Sequence, residues 1–60
     1  MELQMAVQAL SEKLGEALVD VAKFEDKGND AAARRARKAL QQIAVACKEL
    51  RARIQEQRSE

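Results

Sequence analysis

The stretch KGND, residues 27–30, decides how this chain folds. Gly28 is the residue type for the left-handed position that ends a helix, and Lys27 in the last turn suits the helix dipole. Asn29 is a good N-cap for a second helix, with Asp30 in its first turn. Before this stretch, Leu3, Val7, Leu10, Leu14, Ala17, Val21 and Phe24 recur at alternating spacings of four and three. After it, Ala33, Ala36, Leu40, Ile43, Cys47, Leu50 and Ile54 do the same. Alternating four and three is the heptad seam of one helix packed lengthwise on another. Paired across the turn, the positions total 57 throughout, from Phe24 with Ala33 to Leu3 with Ile54. The expected fold class is therefore all-α: an antiparallel two-helix hairpin over about 2–27 and 30–57, fraying over Arg58–Glu60. Gly15 interrupts the first helix on a side away from the seam, at a cost on the order of 1 kcal/mol against Ala.

Sixty residues make a single helical-hairpin domain, 1–60, near the lower limit for a chain that folds alone. A hairpin buries one seam and needs a disulfide, a metal or a partner chain in addition. Cys47 is the sole cysteine and cannot make an internal disulfide. Opposite Leu10 on the seam, it reads as a small core residue. The chain has no His, and neither a metal site nor a cofactor is expected. A partner remains. Ala6, Leu18, Ala32, Ala39, Ala44 and Ala46 flank the seam, small or apolar, with Met5, Val19 and Val45 further outward. They read as a second contact surface on which two hairpins pair into a homodimeric four-helix bundle. The competing reading is that Ala serves helix propensity alone. One unpaired Cys and no secretory segment suit the cytoplasm. No uncharged stretch approaches the length of a membrane span.

Catalysis has few residues to work with: no His, no Tyr, and one Cys expected in the core. Glu12 and Glu16 share a helix face, but carboxylate metal sites in bundles add His ligands from facing helices. They read as surface solvation, and the chain as neither an enzyme nor a binder of small-molecule substrates. The net charge of +1 hides an asymmetry. Residues 1–30 carry three basic and seven acidic side chains, residues 31–60 eight basic and three acidic. Arg34, Arg35, Arg37 and Lys38 crowd the start of helix two, where the macrodipole disfavours cations. Arg34 and Lys38 also repel as like charges four apart. Such a cluster fits a phosphate ligand, with backbone N–H groups at the helix start and Arg forks beside them. Arg34, Arg35 and Lys38 are expected to point away from the seam, with Arg37 at its edge. Lys27 joins them from the turn, and Lys23 and Arg51 are weaker additions. The competing reading is a solvated face neutralised by Glu25 and Asp26. Phe24, the only aromatic, is expected in the core, so any nucleic-acid contact is to backbone phosphate with little base reading.

The stretch KFEDKGNDAAARRARKALQQIA, residues 23–44, resembles the helical part of the chlamydial-type bacterial linker-histone-like proteins. The match lies in the Lys-Gly-Asn turn at 27–29, the alanines from Ala31, Arg35 and Arg37 two apart, and Lys38. The close match covers about a third of the chain, and helical periodicity the rest. The resemblance implies nucleoid association and DNA compaction without sequence preference. Lys27, Arg34, Arg35, Arg37 and Lys38 would then be the DNA-contacting residues. Members usually follow the helices with a Lys/Ala-rich tail, which these sixty residues do not include. Asp30 stands where such proteins commonly carry Lys. The alternative expectation is a coiled-coil oligomerisation module, in which the basic helix meets the acidic helix of another chain. An RNA-binding hairpin dimer is a third.

Overall fold

The computed structural model describes residues 2–58, which form two helices and the turn between them. Helix α1 spans Glu2–Lys27 and helix α2 spans Asp30–Arg58. The two pack against each other as an antiparallel hairpin with principal extents of 51 × 16 × 11 Å. Gly28 takes φ 63° and its N–H donates to the Phe24 carbonyl at 2.8 Å, closing α1. Asn29 then caps α2. Its side-chain Oδ1 accepts from the Ala32 N–H at 3.0 Å, and its carbonyl accepts from the Ala33 N–H at 3.1 Å. Arg58 is still helical, one residue beyond the expected end, and the rest of the expected fraying lies outside the described residues.

The seam differs from expectation by a turn of each helix about its own axis. Leu3, Leu10 and Ala17 on α1, and Ala36, Ile43 and Leu50 on α2, lie at least half-buried between the helices as the heptad pattern requires. Val21 and Ala33 are half-buried as well. The remaining heptad positions, Val7, Leu14, Phe24, Leu40, Cys47 and Ile54, are exposed. The residue just before each alternate heptad position also lies between the helices: Ala6, Lys13 and Asp20 on α1, and Ala32, Ala39, Ala46 and Arg53 on α2. Four of the alanines and neighbours expected on an outer contact surface are thus inside the hairpin, with Ala32 fully covered. Leu18 and Ala44 do face outward, as do Met5, Val19 and Val45.

Close approach explains the exchange. Helix axes pack about 8–10 Å apart, at the lower end where the contact residues are small. The alanine stripe permits that approach, whereas a stripe of Leu, Val and Phe would hold the helices apart. Lys13 and Arg53 are half-buried in this alanine seam, which long side chains tolerate because their aliphatic stems can pack while their charged ends reach outward. Two ion pairs sit on the alanine side, Asp20 with Arg35 at 3.1 Å and Glu2 with Arg53 at 3.4 Å. The cost of this arrangement is that Val7, Leu14, Phe24, Leu40 and Ile54 stay exposed. Ala17, Ala32, Ala36 and Leu50 are the buried residues.

Candidate nucleic-acid interface

The cluster at the start of α2 follows from where the cap stops. Asn29 fixes the first turn and takes up the Ala32 N–H with its own side chain. The backbone donors expected to hold an anion are thereby partly occupied, and Asp30 adds an acid beside them. Phosphate contact here falls to side chains. Arg34, Arg35, Arg37 and Lys38 follow in the second and third turns, all exposed.

The four divide into two groups. Arg34, Arg37 and Lys38 border one shallow depression on the outer side of α2, together with Leu40 and Gln41. None of these three cations makes an ion pair or side-chain hydrogen bond among the described residues. Arg35 does not point away from the seam as expected. It reaches across to α1 and donates from an Nη to Asp20 Oδ1 at 3.1 Å. Its guanidinium therefore already has a carboxylate partner, with Lys13, Glu16 and Gln42 lining the same depression. Lys38 borders both depressions and is the point where they meet. Lys27 stands exposed at the end of α1.

Glu25 and Asp26, which the competing reading set against the cluster, make no ion pair among the described residues. Phe24 is half-exposed rather than a core residue, with 44% of its surface open. Cys47 is exposed as well, not buried opposite Leu10. Among the described residues no group of His, Cys, Asp and Glu could hold a metal ion. No helix among the described residues is long and apolar enough to cross a membrane. The arrangement offers, among the described residues, three unpaired cations on a narrow helical face, with no aromatic platform between them.

A family model described as histone H1-like protein Hc1 matches residues 4–60. The chain belongs to the histone H1-like protein Hc1 family. This is a family of histone-like, DNA-binding nucleoid proteins, structural rather than enzymatic, and the resemblance seen in residues 23–44 extends over nearly all the chain. No curated protein and no solved structure matches it. What sequence reasoning missed in this histone-like hairpin is the Asp20–Arg35 pair, which separates one arginine from the other cations. The signal was present as opposite charges on facing helices, but only the one-residue rotation of the seam brings them together.

Proposed function

We propose that this chain binds the DNA backbone without sequence preference through Lys27, Arg34, Arg35, Arg37 and Lys38, as a self-associating, non-enzymatic component of the cytoplasmic nucleoid. The carrying observation is the trio Arg34, Arg37 and Lys38: exposed, clustered and without an ion-pair partner among the described residues. They lie three and four residues apart on one face of α2, where their mutual repulsion opposes them. A ligand bearing several negative charges removes that penalty. Phosphates along a duplex suit such a face, and the absence of base-reading geometry makes the binding insensitive to sequence. Arg35 contributes less than its neighbours, because contact with phosphate competes with Asp20.

Salt dependence tests this reading. Each phosphate neutralised on duplex DNA contributes about −0.9 to the log–log salt slope. Three cations from each of two chains give a slope of about −5, and from one chain about −3. Fluorescence anisotropy on two duplexes of unrelated sequence should return the same slope for both. Replacing Arg34, Arg37 and Lys38 together with Gln should reduce the slope by about 3 for each chain bound, leaving the small part due to Lys27 and Arg35, while Arg35→Gln changes it by less than one. Undetectable DNA binding at low salt, with assembly lost in the triple variant, would assign the cluster to a coiled-coil oligomerisation module instead.

A further inference from the structure

The two long sides of the hairpin differ in kind. On one side Lys13, Glu16, Asp20, Arg35, Lys38 and Gln42 line a polar depression spanned by the Asp20–Arg35 ion pair. On the other, Leu14, Leu18, Val21 and Leu40 line a groove of about 490 Å³, with Ser11 and Gly15 along its rim. Apolar surface continues past Ser11 to Val7 and Leu3. On α2, Ile54 lies two heptads from Leu40 and extends the same stripe. Leu14, Leu18, Leu40 and Ile54 are each between 44 and 67% exposed.

The amount of exposed surface points to an occupant the size of the hairpin itself. A compact monomer of 6.7 kDa exposes about 3,900 Å². This hairpin exposes 5086 Å², an excess of about 1,200 Å². An interface of standard size buries about 800 Å² on each partner, so one copy laid on the groove side accounts for most of the excess.

Charge then selects between the two symmetric ways of laying it. A two-fold axis across the helices places α1 on α1 and α2 on α2. A two-fold axis parallel to the helices places α1 of each copy on α2 of the other. The half containing α1 carries three basic and seven acidic residues, and the half containing α2 eight basic and three acidic. Only the second arrangement sets unlike charges along both contacts. We infer that the apolar side formed by Leu14, Leu18, Val21 and Leu40 seats a second copy of this chain, with each α1 against the other's α2 and both turns at the same end. Both Arg34–Arg37–Lys38 clusters then stand near one end of a four-helix bundle and act on one stretch of DNA. The surface rests on burial and charge alone; its functional consequence rests on the phosphate-binding reading.

Paired nitroxide labels at Asp26→Cys, in a Cys47→Ala background, measure this directly by double electron–electron resonance. Turns at one end give a distance on the order of 20 Å across a four-helix bundle. Turns at opposite ends give roughly 40 Å, from 1.5 Å of rise per residue, and that result overturns the arrangement. Sedimentation of the unsubstituted protein provides the second reading, and a mass of one chain overturns the seated copy outright. DNA anisotropy on the same material keeps the two proposals apart. DNA binding by a monomer defeats this inference and spares the phosphate reading, whereas a 20 Å distance without DNA binding does the reverse.

Discussion

Asn29 and Gly28 do most of the work of reversing the chain, and they do it through three hydrogen bonds. Gly28 supplies a backbone angle that a side chain disfavours, and Asn29 satisfies donors that a helix start leaves unpaired. Asn29→Ala removes the 3.0 Å bond to the Ala32 N–H and should cost about 1 kcal/mol, read as a lowered midpoint in thermal circular dichroism. Asn29→Asp should retain most of the stability, since Asp caps as well as Asn. Both roles were legible in the sequence because a turn is a local object. Cys47 and Phe24 were not legible, because their burial depends on which face of each helix meets the other. The same limit applies to Arg35, whose partner lies fifteen residues away on the opposite helix.

At the scale of the element, each helix carries two heptad stripes offset by one residue. Leu3, Leu10 and Ala17, with Ala36, Ile43 and Leu50, belong to both, and expectation and structure agree there and at Val21 and Ala33. The stripes part at the alternate positions, large side chains in one and mostly alanine in the other. Hydrophobic periodicity has the same period in both, so it establishes the hairpin and its antiparallel sense without choosing between them. The choice is made by packing distance: a pair of helices gains more contact from a close alanine seam than from a wide one lined on one side only. Ala36→Leu tests this. Ala36 is 4% exposed, and three added carbons must push the helices apart or leave the rotamer minimum, at about 1–3 kcal/mol. Urea denaturation followed by circular dichroism should show that loss. On the wide seam first expected from the sequence, the added methyl groups would fill space beside Val21 and stabilise the protein instead.

For the whole molecule, the question is what holds a fold whose buried residues are three alanines and one leucine. Alanine contributes little apolar area, and a chain of this size seldom gains more than a few kcal/mol from a single core. Val7, Leu14, Leu18, Leu40 and Ile54 carry much of the apolar area the hairpin leaves in water, so stability should come from covering them. Folding and association are then one equilibrium, and the melting midpoint depends on concentration. A tenfold rise in concentration adds about 1.4 kcal/mol per dimer, which for two chains of this length corresponds to roughly 5 °C. Leu14→Asp puts a charge in the groove and should lower the midpoint steeply at every concentration. Val19→Asp alters an exposed position of α1 that lines no part of that groove, and should leave the midpoint within a degree or two. Equal effects from the two substitutions, or a midpoint that ignores concentration, would mean that the hairpin stands on its alanine seam alone. The apolar side would then need another explanation, and the two basic clusters would act on DNA one chain at a time.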